Sequence, residues 1–384
     1  MENFESTEFT SSNFEDWLAN NSQSTSSAII IDLSSQSTIR CGKTNIMEDR
    51  PSRSFRKINI LHDDDNDAEG KLVKYSEELK LNISKALEVL NIEKDNNLES
   101  VLIIDSPLDH VDDLKRREVI CKVLFEDFKI SHLSIQDAAY MSLVASGVEF
   151  MSGLVVHVGE NSSYVIAVVD GQVRMDSLCI GSVSGRHLTE KLKNSLQKHF
   201  EKHDSNIFSD EIVNRLKAKY VSATCENFPL YESFNVTDTV TINIGECKEE
   251  FKQVSEILFT NNCSSIPQLV KECITKINDD SLDLSNNIIL SGGTTMMNNF
   301  TERLNKELAL LLDEITFNEM SVKCSDRAIL RYMGANILTS VPEWVTPYCV
   351  SSEDFKQDGS VCIVDKRSWD VMYSSPFSDE QFGF

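Results

Sequence analysis

Ile288-Ile289-Leu290 is a short apolar run that passes through Ser291 into Gly292-Gly293-Thr294-Thr295-Met296, and a helical pattern opens at Phe300. A run of this kind reads as a buried strand. Two adjacent glycines let the backbone take positive φ and approach a ligand with no Cβ between them. The helix N-terminus behind them offers unpaired N–H groups to an anion. The chemistry on offer is capture of an anionic ligand, although a strand-GG-helix step is also a common packing turn. Two more apolar runs end in polar turns. Ala28-Ile29-Ile30-Ile31 leads into Asp32, Ser34 and Ser35, and Gly153 to Val158 leads into Gly159-Glu160-Asn161-Ser162, returning through Val165 to Gly171 as a hairpin.

Other chemistries lack their residues. The seven histidines have no metal-ligand spacing, and no Ser sits within G-x-S-x-G. His62-Asp63-Asp64-Asp65-Asn66-Asp67 imitates a calcium loop, but Ala68 stands where the loop needs Gly and Lys74 where it needs Glu, so an exposed acidic loop is expected. The ten cysteines never approach C-x-x-C spacing and read as reduced core thiols.

A chain of 384 residues, 41% hydrophobic, exceeds what one core organises, so two lobes are expected. A net charge of −24 repels a nucleic-acid backbone and an anionic membrane alike. Residues 1–27, rich in Ser, Thr, Asn and Glu, read as a disordered acidic tail. Met1 to Thr10 contain neither a basic nor an apolar targeting region, and no apolar run reaches spanning length, which points to a cytosolic or nuclear protein. Further along, a helical pattern runs through Tyr75, Leu79, Ile83, Leu87 and Leu90, and Val101-Leu102-Ile103-Ile104-Asp105 reads as a strand entering Ser106-Pro107-Leu108.

SGGTTM with its following helix, the strand-acid-x-Pro-Leu step at Asp105, Arg40-Cys41-Gly42, Ala145-Ser146-Gly147 and Gly185-Arg186-His187-Leu188-Thr189 together resemble the actin family. The resemblance runs in patches from about Ile29 to Trp369. It implies an α/β, actin-like two-lobed fold, each lobe a mixed β-sheet flanked by helices around a nucleotide cleft. Residues 28–150 plus 330–369 would form the first lobe, with a reduced subdomain 2 at about 43–70. Residues 151–329 would form the second, with subdomain 4 at about 184–261, and 370–384 would be a C-terminal extension.

The resemblance also implies a site for ATP or ADP with Mg, or a cleft that holds neither. Asp32 would serve the metal and the nucleotide, Ser34 and Ser35 the first phosphate turn, and Gly159 and Glu160 the second. Lys217 would reach the ribose or phosphates, and Gly292, Gly293, Thr294 and Met296 would hold the adenosine. Four departures from the family point to binding without efficient hydrolysis, and hence to a protein that is not an enzyme. Leu33 to Ile39 contains no glycine. His157 replaces the second metal acid, with Glu160 as a partial substitute, and Ala328 replaces a basic residue before the last long helix. Ungapped spacing puts Ala138 at the water-positioning glutamine. Gln136, two residues away, would be rotated by about 200° on a helix.

The stretch from Gly42 to Val101 is short for the family, and the shortage falls on the outer subdomain whose DNase-binding loop engages a neighbouring filament subunit. With the Tyr75-Ser76-Glu77-Glu78-Leu79 helix and the polar C-terminal extension, it is most similar to the pointed-end actin-related subunit of dynactin. That resemblance implies a cytoplasmic, cytoskeletal protein that does not polymerise and supports dynein-based transport. Its partners would be actin-related filament subunits and other pointed-end proteins in a hetero-oligomeric complex, with no nucleic acid and no membrane insertion. A nuclear actin-related scaffold of a chromatin-remodelling complex and a working ATPase of the heat-shock chaperone or sugar-kinase type are the alternatives.

Overall fold

The computed structural model describes residues 28–359 and 362, apart from 36, 45–49, 60–67, 93–99, 109–112, 148–151, 201–206, 225–227, 238–239, 261–263, 278–283, 313–314, 342–343 and 360–361. The N-terminal tail, the 62–67 acidic loop and the C-terminal extension expected from sequence lie outside the described residues.

The first half of the chain runs β1 (Ile29–Asp32), β2 (Thr38–Lys43), β3 (Arg53–Arg56), α1 (Ala68–Val89), β4 (Ser100–Asp105), α2 (Asp113–Lys122), β5 (His132–Asp137) and α3 (Ala138–Ala145). β6 (Gly153–Val158), β7 (Ser163–Val169), β8 (Gln172–Gly181), α4 (Gly185–His199), α5 (Asp210–Tyr220), β9 (Ser233–Asn235) and β10 (Thr241–Asn243) follow. After them come α6 (Lys248–Phe259), α7 (Ile266–Ile277), β11 (Ile288–Ser291), α8 (Phe300–Leu308) and α9 (Glu319–Lys323). The chain then returns through α10 (Leu330–Ser340), α11 (Val345–Tyr348), β12 (Val350–Ser351) and α12 (Ser352–Asp358), and β12 pairs with β5 in the first sheet.

Both large sheets repeat one plan. In the first, β1 pairs antiparallel with β2 and parallel with β4, giving the order β12-β5-β4-β1-β2-β3. In the second, β6 pairs antiparallel with β7 and parallel with β11, giving β11-β6-β7-β8. The central strands are buried end to end, which is why Ile29-Ile30-Ile31 and Leu154-Val155-Val156 read as continuous apolar runs rather than alternating ones. Strand alternation then splits each run between two cores. Ile30 joins Leu102, Val155, Ile166 and Ile289 around α3 and α10, which lie between the sheets. Ile29 and Ile31 face α1 and α2 through Leu79, Ile83 and Cys121. Leu154, Val156 and Leu290 face α4, α6 and α7 through Leu192, Phe251 and Leu269. The architecture is a two-lobed α/β fold of mixed sheets flanked by helices.

Two details differ from the sequence reading. Residues 53–56, placed by sequence in the reduced outer subdomain, form the edge strand of the first sheet, with Ile39 opposite Phe55. Only residues 57–67 separate β3 from α1. Gln136 lies on β5 instead of a helix. Among the described residues, no helix is long and apolar enough to cross a membrane.

The α3–α10 contact depends on Gly334, where a Cβ would collide with the Met141 carbonyl and approach the Ala145 nitrogen. Backbone atoms cannot swing aside as a side chain would. Overpacking typically costs 1–3 kcal/mol, so Gly334→Ala is expected to lower unfolding stability by about 3 kcal/mol, read as a shifted midpoint in urea.

Candidate functional site

The turns after β1, β6 and β11 meet around a cavity of about 460 Å³. It is lined by Ser34, Ser35, Gly159, Glu160, Lys217, Gly292, Gly293, Thr294 and Met296, so every sequence-predicted site residue except Asp32 reaches its wall. The repeated sheet plan explains the convergence, since each hairpin turn emerges at the same end of its sheet as the parallel strand beside it.

The glycine pair divides its work. Gly292 has φ 90°, and a Cβ there would strike the Val158 carbonyl, so the turn demands glycine. At Gly293 a Cβ would meet only that of Ala328, at an ordinary contact distance of 3.5 Å, so nothing crowds the backbone there. A 3₁₀ turn, Gly293–Met296, intervenes before α8, so the helix N-terminus expected directly behind the glycines is displaced along the chain. Thr294 Oγ1 donates to the Gly159 carbonyl at 3.1 Å and ties this loop to the second hairpin.

Arg327, which the motif reading passed over, anchors the loop from behind. Its guanidinium donates to the carbonyls of Ser321 and Val322, both at 2.8 Å, and of Thr295 at 2.5 Å. Its own carbonyl accepts from Gly292 N at 2.9 Å.

Asp32 lies beneath the cavity, fully buried, and its two oxygens are occupied. Oδ1 accepts from the backbone N–H of Ser34 at 3.1 Å and from the Ser34 hydroxyl. Oδ2 accepts from Arg331 Nε at 2.9 Å and lies 3.6 Å from Arg40 Nη1. Arg40 stands directly across the β1–β2 ladder, whereas Arg331 arrives from α10. Burial alone would raise the Asp32 carboxyl, but Arg331, Arg40 and the Ser34 hydroxyl outweigh it and hold the group below its ordinary range.

His157 is also buried, stacked on Tyr164 at 4.8 Å, with Nδ1 3.3 Å from the Ser291 hydroxyl. Burial first, then the charge of Arg331, pushes its pKa from the ordinary 6.5 to about 3, so the imidazole is neutral. Lys217 Nζ spends its protons on Glu160 Oε2 at 3.0 Å, the Gly185 carbonyl at 3.0 Å and Thr189 Oγ1 at 2.6 Å. Its expected reach toward a ribose is thus replaced by a wall contact, and Glu160, expected to stand in for the missing metal acid, is its counter-ion.

Hydrated magnesium fits this residue set poorly. A carboxylate offers about four lone-pair sites; those of Asp32 already accept three hydrogen bonds, and the Arg40 guanidinium stands 3.6 Å away as a second cation. The second hairpin supplies a neutral ring in place of an acid. The expected metal role of Asp32 is therefore taken by two guanidinium groups. Neither position considered for a water-positioning glutamine presents a carboxamide to the cavity: Gln136 is buried and donates to Ser134 Oγ at 3.0 Å, and Ala138 packs in the core between the sheets.

The actin family model matches residues 64–262 and 258–368. The chain belongs to the actin family. Similar relatives include actin-related protein 2 of Oryza sativa subsp. indica, 27% identical over 290 residues, covering 68% of this chain and 72% of that protein. Centractin of Saccharomyces cerevisiae is 29% identical over 279 residues, covering 67% and 68% respectively. Actin-like protein 7B of Homo sapiens is 27% identical over 285 residues, covering 70% and 65%. The family match begins at residue 64, after the β1–β2 hairpin, whose connecting residues 33–37 include no glycine.

Arg331→Met should cost about 3–5 kcal/mol in urea unfolding, because it strips a buried carboxylate of its main partner, and Asp32→Asn in the same chain should restore much of the loss. His157 gives a separate pH signature. Its folded pKa lies below its unfolded value, so below pH 6.5 the unfolded chain takes up a proton that the native site excludes, and stability falls toward pH 3. In His157→Asn that acid slope should be shallower by up to about 1.4 kcal/mol per pH unit, read from urea midpoints across pH 4–6.5.

Proposed function

We propose that this actin-family protein is a non-polymerising structural subunit that caps the pointed end of the short actin-related filament of dynactin and so supports dynein-based transport. It acts in the cytoplasm on the cytoskeleton, among actin-related filament subunits and other pointed-end proteins. The single observation that carries the reading is the brevity of the β3–α1 connection, where residues 57–67 leave room for no more than a small outer subdomain. A subunit without the loop that grips a neighbour at one end presents a filament with a terminus. Similarity to actin-related relatives, centractin among them, supports the broader reading of a cytoskeletal assembly component.

The cleft serves as a structural site for ATP or ADP and does not turn the nucleotide over. Support comes from the uncrowded backbone of Gly293 on the cavity wall, the hydroxyls of Ser34 and Ser35, and the engagement of Asp32, Gln136 and Lys217 in other bonds. In-line attack needs an oriented water, and neither Gln136, turned to Ser134, nor Ala138, in the core, offers the cavity a group to orient one. Function then rests on surfaces, as is general for folds that carry many activities.

A phosphate-release assay on the purified chain is expected to stay at background; sustained ATP turnover would contradict the structural role of the cleft. Electron microscopy of the native assembly should find the subunit once, at one end of a short filament. Repetition along the filament, or residence only in a chromatin-remodelling complex, would reject capping.

A further inference from the structure

Two guanidinium groups converge on one carboxylate at the base of the cleft. Arg331 Nε bonds Asp32 Oδ2 at 2.9 Å, and Arg40 Nη1 lies 3.6 Å from the same oxygen. The three groups carry one net positive charge. Arg40 Nη1 is buried and makes no hydrogen bond among the described residues. A buried donor without an acceptor costs about 1–3 kcal/mol, an expense that an anion in the cleft would remove.

The surroundings favour the same sign. Arg40 and Arg331 both line the cavity beside Ser34, Ser35 and Thr294, whose hydroxyls suit phosphate oxygens. A second cavity of about 790 Å³ shares Ser34, Ser35 and Asn161 with the first, and its walls include Arg56, Lys57 and Arg186 against the single carboxylate of Glu78. In a chain of net charge −24 this is a local concentration of positive charge at a ligand entrance.

We propose that the cleft binds a nucleoside di- or triphosphate without a divalent metal, with Arg331 and Arg40 as the built-in cations that face its phosphates. The inference rests on the reading of the cleft as a nucleotide site. A guanidinium is permanently charged and offers a planar fork of donors, so it can meet phosphate oxygens as a metal does, without itself needing to be recruited. Asp32 then acts as a positioning residue. It holds Arg331 in place from β1 and is satisfied by it, and a divalent cation would have to displace both arginines to reach it.

Isothermal titration of the full chain with ATP, ADP, AMP and inorganic pyrophosphate, in excess EDTA and again in Mg²⁺, tests this. ATP and ADP should bind in EDTA at least as tightly as in Mg²⁺, with AMP much weaker, and pyrophosphate alone weaker than ADP. Arg40→Gln, which leaves the Asp32–Arg331 bond in place, should weaken EDTA binding about tenfold or more with an unchanged near-ultraviolet circular dichroism spectrum. Gly293→Val should abolish ADP binding but leave pyrophosphate binding, which places the adenosine over that glycine. Binding that requires Mg²⁺ would overturn the metal-free proposal and leave the nucleotide site standing. No binding in either condition would overturn both, while the capping role would still be judged by the position of the subunit in its assembly. Equal affinity of Arg40→Gln and the wild type would remove Arg40 from the phosphate site.

Discussion

The ion pair between Asp32 and Arg331 joins residues 299 positions apart, one at the end of the first strand and the other on the last long helix. Taking both charges out of water is costly, and the pair holds only because the geometry is close and the Ser34 groups and Arg40 complete the carboxylate's shell. That requirement constrains the protein on both sides. α10 must lie against β1 with Arg331 turned toward the strand end, and the first hairpin must fold its serine back on Asp32. The floor of the cleft, the seam between the sheets and the return of the chain to the first lobe all meet at this contact.

Around that contact the two sheets follow one plan, and the plan determines where ligand chemistry can occur. Each sheet offers an antiparallel hairpin beside a parallel strand, so the turns that follow β1, β6 and β11 all open at one place. α3 and α10 fill the space between the sheets and keep the turns at fixed separation, with Gly334 setting how closely the helices approach. Membership of the actin family agrees with this duplicated architecture. Within this architecture the charges at the base of the cleft are turned on one another, Asp32 against Arg331 and Arg40.

Lys217 and Glu160 show the same tendency on the second lobe. Each looks available in sequence, one a long cation and the other an acid in a hairpin turn. In the folded chain they neutralise each other, and Lys217 also braces α4 through the Gly185 carbonyl and Thr189. The result is a cleft wall held by its own ion pair while the base, with two arginines to one aspartate, keeps an excess of positive charge.

Local patterns were enough for the strands ending at Asp32, Asp105, Val158 and Ser291, the glycine turn, the helices through 75–89 and from Phe300, and the fold class, because continuous apolar runs report burial and direction within a few residues. The expectation that His157 stands in place of a metal acid and Ala138 in place of the glutamine came from spacing to neighbouring motifs, which needs no coordinates. Partnership was not legible. Gln136 was expected on a helix and lies on a strand, where its side chain turns to Ser134. Arg331 and Arg327 carried no motif at all, though one holds Asp32 and the other the glycine loop. Hydrogen bonds and ion pairs depend on separations of a few ångströms between residues that are up to 299 positions apart in the chain. Sequence determined which groups were present and which strands would be buried; only tertiary packing decided which charges would face a ligand and which would satisfy one another.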